Sequence, residues 1–216
     1  MLEFSFWDIL SNLLMAARWT VLLSAIAFVT GGIAGLLVLM ARVAPVPALR
    51  RLTKLYIELF QGTPLLMQLF VVFFALPLVG VETSPWTAAA VSLTLFTSAY
   101  LAEIWRGCVE AVPKGQWEAS ASLAMNFTEQ MRYVVLPQAL RIAVPPTVGF
   151  SVQVVKGTAV TSIIGFIEVT KAGTMITNGT FQPFLVYGLV GVIYFVLCYP
   201  LSLSAKALER KLHAAR

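Results

Sequence analysis

Five long apolar stretches, at 20–41, 55–79, 86–105, 142–166 and 183–205, constrain this chain more than any other feature. Each is about as long as the 20 residues a helix needs to cross the roughly 30 Å hydrocarbon core of a bilayer. Lipid offers the backbone no hydrogen-bond partner, so segments that cross it must close their own bonds as helices. The expected fold is therefore an all-α integral membrane protein, one domain over 1–216 with five transmembrane helices. Composition agrees, because 59% hydrophobic and 12% charged residues leave too little polar surface for a water-soluble domain.

An odd number of crossings puts the two ends of the chain on opposite sides, and the basic residues say which. Arg42, Arg50, Arg51 and Lys54 follow the first stretch. Arg106, Lys114, Arg132 and Arg141 surround the connection between the third and fourth, and Lys206, Arg210, Lys211 and Arg216 occupy the tail. These are 12 of the 15 Lys and Arg residues, against Arg18 and Lys171 on the other side and Lys156 within a span. By the positive-inside rule the N-terminus faces out and the C-terminus lies in the cytoplasm. The net charge of +5 is dispersed among apolar spans without interleaved aromatics, so it does not indicate a nucleic-acid surface.

Ahead of the first span, 4–18 places Phe6, Trp7, Leu10, Leu13, Leu14 and Ala17 on one broad face. This fits a helix lying in the membrane interface, and equally an N-terminal extension of the first span. No cleavable signal peptide is expected, since Met1-Leu2-Glu3 lacks a basic start. Cys108 and Cys198 are too few and too far apart for a disulfide framework or metal site, and His213 in the basic tail reads as solvated.

The interval 112–138 between the third and fourth spans is polar and amphipathic. Pro113 and Gly115 punctuate its start and Pro137 is expected to stop it. Two short helices fit between them. The first, over 116–125, puts Trp117, Ala121, Ala124 and Met125 on one face, and Glu118 and Ser122 on another. The second starts after Asn126, an N-cap answered by Glu129 three residues on, and runs through Tyr133 and Val135. Such a pair fits a groove on a partner, with Trp117, Ala121 and Met125 buried there; it also fits a loop packed on the bundle's own end.

Glu118-Ala119-Ser120, then Ala124 and Leu136-Pro137, resembles the EAA loop of permease subunits of ATP-binding-cassette importers. More narrowly, Ser98 to Arg106 (SAYLAEIWR), Pro113 to Glu118 (PKGQWE) and Leu136 to Arg141 (LPQALR) resemble the permeases for polar amino acids, the histidine, glutamine, glutamate, arginine and opine group. Glu58 to Leu66 (ELFQGTPLL) and Pro183 to Tyr187 (PFLVY) extend the likeness to most of the chain. The resemblance implies a subunit of the bacterial inner membrane that moves substrate by alternating access. It implies three protein partners: a cytoplasmic ATP-binding subunit, a second permease chain, identical or related, and an extracytoplasmic amino-acid-binding protein. ATP and magnesium would sit on the ATPase, with no cofactor on this chain. The interval 112–138 becomes a cytoplasmic coupling loop, contacting the ATPase through Gln116, Trp117, Glu118, Ala119 and Ser120, then Ala121, Ser122, Leu123, Ala124 and Met125. Ala124 stands where that family has glycine, the residue that most easily takes left-handed angles.

Polar residues inside the spans mark the candidate passage. In the fourth span Pro145-Pro146, Gly149, Gln153, Lys156, Gly157, Thr158 and Thr161 interrupt the apolar run, and Gln153, Lys156 and Gly157 share a face. A lysine at mid-membrane costs about 2.5–3.5 kcal/mol on insertion scales, so it faces protein, water or a counter-charge. It either lines the passage beside a helix broken at the double proline, or is structural and paired with a carboxylate such as Glu168. In the second span Gln61, Gly62, Thr63, Pro64 and Gln68 form another polar break, a packing kink or part of the passage. Glu58 and Glu103 are expected to pair with nearby basic residues such as Arg106.

Enzymatic chemistry finds no support in the sequence: no glycine-rich phosphate loop, no nucleophile with a histidine partner and no ligand cluster occurs. An ion-gradient-driven secondary carrier of small polar solutes is the other class to weigh. Two inverted halves would favour it, and five unequal spans supply none.

Overall fold

The computed structural model describes residues 5–214; Phe4, Arg216 and the side chain of His213 lie outside what is described. The chain is helical throughout, without a strand among the described residues. Four helices are long and apolar enough to cross a membrane, and a bent pair makes a fifth if counted as one crossing.

Helix α1 runs unbroken over Phe6–Val43, opened by Ser5 and Asp8, each bonding the other's backbone N–H. At 38 residues it is about 57 Å long, well beyond the hydrocarbon core. Of the segment expected over 4–18, residues 6–18 are therefore the extension of the first span and not a separate interfacial helix. Its inner stripe of Ile9, Leu13 and Ala16 is buried against protein, which an interfacial helix would leave to lipid.

The second stretch, expected as one span over 55–79, is broken. Helices α2 (Pro47–Gly62) and α3 (Leu65–Leu78) meet at 104°. Pro64 removes a donor and Thr63 is extended, so the ladder ends there. Helix α4 (Pro85–Glu110) contains the 86–105 span, started by a Ser84–Thr87 capping box with proline in the first turn. Short helix α5 (Lys114–Ser122) follows.

Pro137 does not stop a helix. Helix α6 runs over Phe127–Ile164, and Pro137 lies in it just after a wide π-helical turn at Gln130–Val135. That turn already interrupts the regular ladder where the proline lacks its donor. The double proline does not break the helix either: Pro145 is buried and α-helix continues to Gly157. The change of geometry comes later, as a seven-residue 3-10 stretch at Thr158–Ile164, closed by Gly165 at φ +90°. The connection 167–182 contains a further helix, α7 (Val169–Thr180). Helix α8 (Pro183–Ala214) includes the fifth span.

The layout follows from close pairs. Helices α1 and α4 run side by side in the same direction, with Trp19 edge-on to Trp86 at 5.9 Å. Farther along, Thr30 Oγ1 lies 2.7 Å from Thr94 Oγ1. A Cβ on Gly31 would fall 2.6 Å from Thr97 Cβ, and one on Gly35 2.9 Å from the Ser98 carbonyl. Helix α6 returns beside α4, joined by Trp105 Nε1 donating to Thr147 Oγ1 at 2.8 Å and by Phe150 stacked on Tyr100 at 5.5 Å. Helix α8 runs back along α6, with Cys198 against Val152 and Val155. One end of the bundle is a cap in which α1, α7 and α8 bury Ile9, Leu13, Val169, Ile176, Val186 and Val190.

Gly35→Ala is expected to lower the thermal midpoint of the detergent-purified protein by several degrees, because overpacking against a fixed backbone costs about 1–3 kcal/mol. Gly107→Ala, with no atom within 4 Å of the added carbon, is expected to leave it unchanged or raise it. Equal midpoints for the two variants would contradict the close seam between α1 and α4.

Candidate functional site

At the end of the bundle opposite the cap, α5 forms a ledge. Of its sequence-predicted face, Trp117 and Met125 are part-buried while Ala121 and Ala124 are exposed. Trp117 packs partly buried against Val109, Val112, Met131, Val135 and Ala139 of this chain. The helical period correctly groups Trp117 with Met125, which is also part-buried, but period alone does not say which face meets the bundle. Ser120 is 2% exposed and donates to the Trp117 carbonyl at 2.9 Å. Gln116 is exposed and accepts from Gln138 Nε2 at 3.1 Å, which ties the ledge to α6. Glu118, Ala119, Ala121, Ser122, Leu123 and Ala124 are exposed.

The turn after α5 is a Schellman motif. The Met125 N–H donates to the Ser120 carbonyl at 3.3 Å and the Ala124 N–H to that of Ala121 at 2.9 Å. Ala124 holds φ +59°, the left-handed angle this motif requires at the residue after the C-cap. The next helix starts as the sequence predicts. Asn126 Oδ1 accepts from the Glu129 N–H at 3.0 Å and Glu129 Oε2 from the Asn126 N–H at 2.8 Å. What this pair of short helices presents outward is Leu123, 76% exposed, with Phe127 and Tyr133, 40% and 65% exposed. Phe127 and Tyr133 escape sequence reasoning, because exposure of an aromatic side chain is a tertiary property.

Beneath the ledge, Arg106 holds both Glu103, at 2.9 and 2.6 Å, and Glu110. The expected pairing of Glu103 with Arg106 is thus present, while Glu58 pairs with Lys54 at 3.5 Å.

At the break between α2 and α3, Gly62 and Pro64 are exposed and Thr63 partly so. Gln68 is buried, and its Nε2 donates to the Phe60 carbonyl at 2.8 Å and to Thr63 O and Oγ1 at 3.0 Å. It therefore caps carbonyls that the bend frees. Leu65, the first residue beyond the bend, approaches Gly157, whose added Cβ would meet Leu65 Cδ2 at 3.3 Å.

Gln153 and Lys156 lie exposed on α6, whereas Thr158 is fully buried and donates to the Val155 carbonyl at 2.7 Å. The structure thus separates Thr158 from the other two. Lys156 borders a hollow of about 280 Å³ with Val152, Tyr194, Phe195, Cys198, Tyr199 and Ser202. Among the described residues it makes no ion pair. Glu168, the carboxylate suggested for it, is fully buried elsewhere, taking N–H donors from Thr170 and Lys171 at 2.9 Å and the Tyr194 hydroxyl at 2.7 Å. No group of three or more His, Cys, Asp or Glu among the described residues could hold a metal.

Comparison with known proteins supplies the context for this geometry. Residues 31–214 match the family described as binding-protein-dependent transport system inner membrane component. The L-cystine transport system permease protein TcyB of Bacillus subtilis is 34% identical over 96% of this chain and 88% of its own length. The glutamine transport system permease protein GlnP of Escherichia coli is 33% identical over 95% of each. The crystal structure of an amino acid ABC transporter with histidines superposes with TM-score 0.90 at 30% identity, covering 97% of this chain and 100% of that one. An inward-facing methionine ABC transporter shares the fold at TM-score 0.77 and 22% identity.

Ala124→Gly is expected to slow amide hydrogen exchange across 119–126, since a left-handed alanine carries about 1 kcal/mol that glycine does not. Ala124→Val is expected to speed it. Faster exchange in the glycine variant, followed by mass spectrometry, would show that residue 124 is not left-handed.

Proposed function

Because this chain belongs to the binding-protein-dependent transport system inner membrane component family, we propose that it carries polar amino acids across the bacterial inner membrane. It is the permease subunit of an ABC importer, a transport component and not an enzyme, and the ATPase is a separate subunit. The relatives' names, which cite glutamine, cystine and amino acids generally, support the substrate class. ATP and magnesium belong to the ATPase, and a second permease chain, identical or related, completes the passage. The bias of Lys and Arg supports an outward N-terminus and a cytoplasmic α5 ledge.

The observation that carries the coupling assignment is the outward face of the two short helices. Leu123, Phe127 and Tyr133 are large apolar side chains held out on a ledge that is rigidly capped and bonded to α6. Exposed aromatic and aliphatic anchors on a rigid element are what a groove on a motor subunit can grip. Since Met131 and Val135 pack on Val109 and Val112, force on the ledge passes directly into α4 and α6. Those helices would rock between inward-open and outward-open arrangements as the ATPases close and separate.

In the passage, Lys156 is the mid-span charge without an ion-pair partner among the described residues. Gln153, one turn away, and the Leu65–Gly157 contact bring the α6 face and the α2–α3 break, with Gly62, Thr63, Pro64 and Gln68, into one region. A substrate carboxylate is the natural counter-charge for Lys156 as it passes. Thr158 supports this wall from inside and does not face the passage.

Tagged permease purified from native membranes in mild detergent is expected to bring an ATPase subunit with it. Leu123→Asp and Tyr133→Asp are expected to lower that recovery roughly tenfold or more at unchanged permease yield. Trp117→Ala is expected to lower the yield of the permease itself. Equal ATPase recovery with both aspartate variants would remove the ledge as the docking surface.

A further inference from the structure

We propose that Glu168 is a positioning residue for transport, one that fixes Tyr194 as the wall closing the Lys156 hollow on the side of the α7 cap. The inference rests on the reading of Lys156 as part of the passage.

Glu168 is a fully buried carboxylate with no cation in contact among the described residues. Every interaction it makes comes from the cap. It accepts the Thr170 N–H on Oε2 and the Lys171 N–H on Oε1, both at 2.9 Å, so it caps the start of the 12-residue α7. The helix dipole there favours its charge. Thr20 of α1 reaches Oε2 at 3.5 Å and accepts the Val169 N–H at 3.3 Å. The short bond is the one from α8, with the Tyr194 hydroxyl donating to Oε2 at 2.7 Å.

Tyr194 faces two ways. Its hydroxyl is held by Glu168 and lies 3.2 Å from Thr170 Oγ1 and 3.5 Å from Thr158 Oγ1. Its ring borders the hollow that contains Lys156 and Cys198. A ring anchored at its tip cannot swing, and hydrogen bonds to a charged group are about twice as strong as neutral ones.

Stability alone does not call for this arrangement. A buried carboxylate is costly, and the surrounding cap is built from Ile, Leu, Val and Ala, which would close more cheaply with an apolar residue. Between Lys156 and Glu168 the chain has a 3-10 stretch of seven residues, long for that geometry, ending at Gly165 in the left-handed region with open space around it. The stretch ends α6, so it is the joint between α6 and the α7 cap. The polar link to Glu168 can exchange its partners with water if that joint moves, which an apolar contact cannot do.

The two native cysteines make the test specific. Cys198 borders the hollow and Cys108 is buried on α4, outside it. The probe is a membrane-impermeant charged maleimide, applied to right-side-out and inverted membrane vesicles holding the full chain. Tyr194→Phe and Glu168→Gln are expected to speed labelling of Cys198 roughly tenfold from the cap side only, with Cys108 unchanged. Tyr187→Phe removes a hydroxyl that bonds α7 through Thr174 and leaves Glu168 untouched, so it is expected to change neither rate. Should Glu168→Gln fail to accumulate, Tyr194→Phe decides, since it deletes one oxygen. An unchanged Cys198 rate in folded protein overturns the proposal. Parallel acceleration of both cysteines also overturns it, because that is general loosening. Labelling needs neither ATPase nor substrate, so this result is independent of whether an ATPase co-purifies.

Discussion

Between helices in a bilayer the hydrophobic effect supplies little, because lipid tails are as apolar as leucine, so close packing has to hold the bundle together. The seam between α1 and α4 does this. Gly31 and Gly35 let the α1 backbone approach Thr97 and the Ser98 carbonyl to distances no side chain would permit. That contact sets the direction of α1, fixes the depth of α4, and through Phe150 on Tyr100 and Trp105 on Thr147 fixes α6 as well. The ledge at one end and the cap at the other are carried by those three helices.

The same solvent governs the polar residues. Most hydroxyls in the spans bond a carbonyl of their own helix, as Ser24 does to Thr20 and Thr161 to Thr158, which costs the fold little. Gln68 serves the bend and Glu168 serves the cap. Lys156 makes no ion pair among the described residues and lies beside a hollow bordered by two tyrosines and a serine.

Much of this was legible in the sequence, for reasons that also explain the misses. Span length is a local property, and four of the five apolar stretches fall in helices long enough to cross a membrane, the second being broken at Thr63–Pro64. The Asn126–Glu129 cap is encoded in four consecutive residues and forms as read. Pro137 does not stop the helix because a π-helical stretch of six residues just before it can absorb a proline, and no single residue type announces such a stretch. The bend at Pro64 was visible as a polar break, but its 104° angle depends on Gln68 capping carbonyls from the next helix. Trp117 shows the limit of periodicity, which groups residues on a face without saying what the face meets. Ala124 is the reverse case: alanine argues against a left-handed turn, yet the Schellman bonds and the Asn126 cap on either side impose one.

The central claim is that this chain moves its substrate by energy delivered from a separate ATPase. Uptake of radiolabelled glutamine and cystine into right-side-out vesicles, with the native ATPase and binding protein present, tests it most directly. ATP supply and ion gradients should be controlled separately. Uptake that requires internal ATP, and persists when ionophores collapse every gradient, is the predicted result. Uptake that continues without ATP and stops with the gradient would contradict the account and make the chain an ion-driven carrier.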